Sequence, residues 1–125
     1  MKLNNLSLYF SLNNKVSIYV PSTVDVDVTI DNSKYVNDIT KQFCLMFGGA
    51  TAQNVVGSWY SEELQKVVTE NVTIVYSNCS DEQLENNINE VENIAKKLCK
   101  DMRQECISLE VNGVLHFVDL KQYNV

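Results

Sequence analysis

Residues 47–59 read FGGATAQNVVGSW, and the choice between two readings of this stretch decides the fold. Either Gly48 and Gly49 cradle a phosphate, or they join a helix to a strand. A phosphate loop places its glycines before a helix, so that the first N–H groups of the helix meet the anion. Upstream of Gly48, Val36, Ile39, Phe43 and Phe47 recur at three and four residues, with Tyr35, Cys44 and Met46 beside them. That is the period of an amphipathic helix. The glycines therefore follow a helix, where glycine readily takes the left-handed cap. The stretch also lacks the lysine of a nucleoside-triphosphate loop. Ala50 to Tyr60 then reads as a strand, with Gly57 marking a bulge or a close backbone approach.

Working outward, the period changes several times, and each change carries a turn signal. Val67 to Ser77 alternates as a second strand. Val72, Ile74 and Tyr76 lie on one of its faces, Thr73 and Val75 on the other. Trp59 and Tyr60 then sit near the turn of this hairpin. Ser80-Asp81-Glu82-Gln83 fits a capping box, with Ser80 as cap and Gln83 reaching back. Leu84, Ile88, Val91, Ala95, Leu98 and Met102 follow at spacings of four and three, predicting a long helix with a continuous apolar stripe. Its acidic start (Asp81, Glu82, Glu85) and basic end (Lys96, Lys97, Lys100, Arg103) suit the helix dipole. CISLEVNGVLHFV closes the chain with a hairpin at Asn112-Gly113. On the N-terminal side, Asp31-Asn32-Ser33 offers caps to the first helix. LSLYF and KVSIYV alternate around Asn13-Asn14 and predict another hairpin, which Pro21 ends. VDVDVTI reads as an edge strand or an extended connection.

The order is hairpin, helix, two strands, long helix, hairpin. With one strand removed from each terminal hairpin, β-α-β-β-α-β remains, which predicts a ferredoxin-like α+β domain over residues 1–125. Both helices lie on one face of its antiparallel sheet. The other face is expected to carry Tyr19, Tyr60 and Val75. An exposed apolar sheet face is a usual docking place, so a homodimer or higher oligomer is expected through it.

Composition excludes several classes. The 125 residues suffice for one domain with a real core. Apolar residues at 45% and charged residues at 21% place the chain among globular proteins. No apolar run approaches a membrane span, and MKLNNLSLYFSLNNK has no signal-peptide pattern, so the expected location is cytoplasmic. A net charge of −6 with a single arginine argues against direct nucleic-acid binding. An acidic protein can instead meet a basic surface on another protein.

Four cysteines, Cys44, Cys79, Cys99 and Cys106, form no CxxC pair, so small buried hydrophobes are expected in place of a zinc site or disulfides. Asp25 and Asp27 could share a cation, but a hard cation needs more oxygens than these two residues supply. Cys79, just before a helix start, and His116, the single histidine, make the best nucleophile–base pair available. Nothing in the spacing brings them together. No metal cluster or nucleophile elbow is present, and no cofactor is implied. A binder is favoured over an enzyme.

FGGATAQNVVGSW, ENVTIVYSNC and LEVNGVLHF together resemble a group of small acidic proteins carried on mobile elements of low-GC bacteria. The resemblance spans residues 15–118 and rests on the Gly48-Gly49 joint, the glycine before Trp59 and the Asn112-Gly113 turn. Proteins of such elements include anti-CRISPR and other anti-defence inhibitors. The resemblance implies a non-enzymatic inhibitor and carries over no functional residues; from the acidic charge, Glu62, Glu63, Glu70, Asp81, Glu82 and Glu85 are expected to meet a basic surface on a nuclease. The alternative is an oligomeric module binding a small metabolite or nucleotide between subunits. Trp59, Tyr60 and Tyr76 would stack on the ligand, and Arg103 would take its charge. A cysteine-dependent enzyme is a third reading.

Overall fold

The computed structural model describes residues 5–25 and 28–121. After a 3-10 turn at Leu6–Leu8, the elements are β1 (Asn14–Pro21), β2 (Thr23–Val24), β3 (Val28–Thr29), α1 (Ser33–Phe47), β4 (Thr51–Ser61), β5 (Lys66–Cys79), α2 (Asp81–Asp101), β6 (Ile107–Val111) and β7 (Val114–Val118). One antiparallel sheet has the order β4-β5-β1-β6-β7, and β2 pairs with β3 as a separate small hairpin. Both helices pack on one face of the sheet, α1 over β5 and α2 over β1 and β6. This is the expected ferredoxin-like α+β arrangement, with β7 as the extra strand.

The joints obey the local chemistry. Gly48 ends α1 in the left-handed conformation at φ 90°, and its N–H bonds to the Cys44 carbonyl. Ser80 and Gln83 form the reciprocal capping box of α2, each accepting the other's backbone N–H. Asn112 and Gly113 turn β6 into β7 with positive φ at both positions. The core is made by Val16, Ile18 and Val20 of β1, Phe43 and Phe47 of α1, Val91, Ala95 and Leu98 of α2, and Ile107 and Leu109 of β6. Phe43 and Phe47 meet edge to face, with centroids 5.5 Å apart.

Several sequence expectations are corrected. No N-terminal hairpin forms, because β5 and β6 occupy both flanks of β1 and leave no slot for a partner strand. Asn14 is no turn residue either. It is buried, its Nδ2 donates to the Cys79 carbonyl and to Asp81 Oδ1, and its Oδ1 accepts from Asn112. Gly57 makes no bulge: β4 and β5 stay in continuous register from Thr51↔Tyr76 to Ser61↔Lys66. A Cβ at Gly57 would meet Val72 in ordinary contact at 3.6 Å. Neither Val75 nor Tyr60 lies on the expected open face: Val75 belongs to the core, and Tyr60, opposite Val67, lies on the same helix-side face as Val75. Cys44 is exposed, whereas Cys79 and Cys99 are buried, and all four cysteines are free. Asp25, at positive φ, pairs with Arg103 Nε at 2.8 Å, and Asp27 lies outside the described residues. Among the described residues no helix is long and apolar enough to cross a membrane.

Candidate functional site

The sheet face away from the helices is the open one. Register places Ser17, Tyr19 and Pro21 of β1 on it, beside Tyr76, Ile74 and Val72 of β5. Gln53 and Val55 of β4 extend it on one side and Glu110 of β6 on the other. Lys15 sits 4.2 Å over the Tyr76 ring, a cation–π contact that covers one side of that ring.

At the end of this face near Pro21, Tyr19, Glu70, Val72, Gln104, Cys106 and Ser108 line a cavity of about 140 Å³. Its position follows from the strand lengths. β5 is 14 residues long and β1 only 8, and their pairing ends at Pro21↔Val72. Beyond that point β4 and β5 continue as a two-stranded ribbon, and Glu70 is its first open-face residue. The chain after Pro21 folds over this corner. Thr23 Oγ1 donates to Glu70 Oε2 at 3.4 Å. Gln104 Nε2 donates to the Thr23 carbonyl at 2.8 Å and the Met102 carbonyl at 3.3 Å, fixing the wall.

The electrostatics of the corner are distinctive. Burial pushes the Glu70 carboxyl above its ordinary range, against the Thr23 hydrogen bond. Burial and then the Glu110 charge push the Tyr19 phenol up. Burial, then Glu105 and Asp119, push the Cys106 thiol up. The corner thus offers a partly dehydrated carboxylate, a phenol held neutral, and apolar walls. A partly buried carboxylate that lines a cavity is a candidate functional group. Such a group can anchor a cation or accept a proton.

The residues singled out from sequence are dispersed. Glu62 and Glu63 occupy the tip of the ribbon, whereas Asp81, Glu82 and Glu85 start α2 at the far end of β5. Fourteen strand residues put these ends about 45 Å apart. Glu70 lies between them and lines the cavity at the Pro21 corner. Trp59 and Tyr60, adjacent on β4, point to opposite faces, opposite Val68 and Val67 respectively. Tyr76 lies opposite Thr51, about 27 Å along β4 from Trp59. Arg103 is taken by Asp25 at the end of α2. Within one chain these four residues build no common site. Cys79 and His116 are also apart, on β5 and β7 with β1 and β6 between them. Burial and then Asp81 push the Cys79 thiol up, the reverse of an activated thiolate. Sequence reasoning placed Tyr19 on the open face but missed Gln104, Cys106 and Ser108. Strand alternation exposes Ser108, but nothing in the sequence reports the fold-over at Pro21.

No family model matches the chain, and no curated protein matches it in sequence. The fold itself has solved counterparts. The chain is similar to a phage SAM lyase in its apo state, at 18% identity and a TM-score of 0.63, over 99% of this chain and 98% of the other. It is similar to a phage SAM lyase in complex with S-methyl-5'-thioadenosine, at 17% identity and a TM-score of 0.60, over 93% and 97%. The divalent ion tolerance protein CutA1 from Ehrlichia chaffeensis shares the fold at 8% identity, with a TM-score of 0.52 over 82% and 81%.

Proposed function

We propose that this chain binds a small cationic adenosyl ligand of the S-adenosylmethionine class at the Glu70 corner of the open sheet face. The near end-to-end likeness to a SAM lyase, which includes a complex with a methylthioadenosine, carries the reading. The chemistry of the corner supports it. S-adenosylmethionine bears a sulfonium and an ammonium, and a partly dehydrated carboxylate attracts both more strongly than a fully hydrated one would. The Tyr19 ring supplies a face for a cation or a purine. A cavity of about 140 Å³ falls below the roughly 300 Å³ at which ligand pockets begin. Part of the ligand therefore lies beyond it, against a second copy docked on the open face.

Titration calorimetry with S-adenosylmethionine and with methylthioadenosine tests this, together with chromatography for methylthioadenosine released from the larger molecule. Saturable binding is expected, and Glu70→Gln weakens it at least tenfold. Binding of the cationic ligand also fades as pH falls. Because the carboxyl titrates above its ordinary range, the fading begins at a higher pH than for an exposed glutamate. Absence of binding by the folded protein at millimolar ligand removes the proposal.

The second reading is an inhibitor that meets a basic nuclease surface through its carboxylates, favoured by the net charge of −6. Because the structure spreads these carboxylates to both ends of β5, the Glu62/Glu63 tip and the α2 start act as two separate contacts. Lysine substitution at one end, leaving the other intact, then removes part of the inhibition. Full inhibition with both ends reversed would end that reading.

A further inference from the structure

The segment before β1 is unusual for a folded chain. Leu8 is 80% exposed, Tyr9 69% and Phe10 90%, with Leu6 and Leu12 also exposed. The 3-10 turn at Leu6–Leu8 buries no residue, and the segment's hydrogen bonds are local ones. Its sequence nevertheless alternates like a strand, with Leu6, Leu8, Phe10 and Leu12 in phase and no charge from Asn5 to Asn14. Such a pattern marks a strand with one buried face. Leu12 lies beside Gly48–Thr51 and Tyr76, so the segment leaves its own domain on the β4 side of β1.

The opposite edge of the sheet presents the complement. β7 is the last strand of the sheet, paired on one side only, by β6. Between it and α2 runs a groove of about 820 Å³ lined by the apolar Ile88, Leu109, Val111 and Val118 and by the charged Glu92, Lys96, Asp119 and Lys121, with His116 on β7. A free edge offers unpaired N–H and C=O groups to an added strand.

We infer that residues 6–12 are an exchanged arm that pairs as a strand with the β7 edge of a second copy, seating Leu8 and Phe10 in its α2–β7 groove. The strand pattern and the strand vacancy lie on opposite sides of the same chain, so exchange between copies satisfies both. The other free edge, β4, serves less well, since on its helix-side face the exposed Val56 and Tyr60 are interrupted by the exposed polar residues Asn54 and Ser58. The four in-phase arm residues expose roughly 500 Å², more than half of the ~800 Å² that each partner contributes to a standard interface. The contact is head to tail, so it closes into a ring or continues as a chain of copies. This inference is independent of the ligand reading.

The test is a benzophenone amino acid at position 10, photolysed in a mixture of light and heavy isotope-labelled protein. Light–heavy cross-links mapping to Ile88–Lys96 or to β7 are expected. Cross-links confined to one chain, or mapping to the open face, overturn the inference, as does a cross-linked sample without dimers. In parallel, Phe10→Asp and Leu8→Asp weaken self-association at least tenfold by analytical ultracentrifugation. Their melting profiles at low protein concentration stay at the wild-type value, since both side chains lie outside the core. Unchanged association in both variants, or a wild type that stays monomeric at millimolar concentration, also overturns it.

Discussion

At Glu70, fold stability and site chemistry pull in opposite directions. The carboxyl is raised by burial, so the folded chain holds its proton to higher pH than the unfolded chain does. Where the folded state binds more protons, stability falls as pH rises. The loss starts at the ordinary glutamate range and is complete once pH exceeds the folded value. Glu70→Gln removes that penalty. The expected result is a melting temperature roughly 1–3 °C above wild type at pH 7, a small gain because the group is half exposed, with the difference vanishing at pH 4. Scanning calorimetry at the two pH values checks it. A variant that is more stable yet binds no ligand would separate a site residue from a scaffold residue. Gly48 and Gly49 make a second contrast at this scale. Neither would crowd a neighbour with a Cβ, but only Gly48 has positive φ, at 90°. Gly48→Ala is expected to cost about 1–2 kcal/mol in urea denaturation, and Gly49→Ala to stay within about 0.5 kcal/mol of wild type.

Elements with a local signal were readable before any coordinates. The α2 stripe, its capping box and the Asn112-Gly113 turn all depend on residues a few positions apart, and all three form as expected. Ser80→Ala removes the hydroxyl that accepts the Gln83 N–H and leaves the Ser80 N–H bond to Gln83 Oε1 in place, with an expected loss of about 1 kcal/mol by chemical denaturation and no change at the Glu70 corner. Features set by long-range pairing were not readable. The alternation in LSLYF is a true strand pattern, but sequence does not report that β5 and β6 fill both sides of β1. The same limit applies to Val75. Alternation divides a strand into two faces, and only the packing of α1 over β5 says which face is inside. The Glu70 corner is the clearest case. Its carboxylate stood out as one acid among sixteen. Its burial comes from Thr23 and Gln104, which chain folding brings from 47 and 34 residues away.

For the whole molecule, the proposed ligand site and the inferred arm exchange both call for assembly, through different surfaces. If a second copy completes the ligand site, ligand and self-association are linked, and each must strengthen the other. Sedimentation velocity at a fixed low protein concentration is expected to show a larger assembled fraction with saturating S-adenosylmethionine than without. Glu70→Gln abolishes that shift but leaves arm-mediated association intact, whereas Phe10→Asp does the reverse. The two variants thus separate the two surfaces within one assay.

The exposure of Cys44 has a practical use. It is the one exposed cysteine, on the outward side of α1, with the sheet between it and the open face. A maleimide dye should therefore react there first in the native protein, without any engineered thiol. Donor and acceptor dyes on separate batches, mixed, would turn assembly into an energy-transfer signal that can be followed in real time.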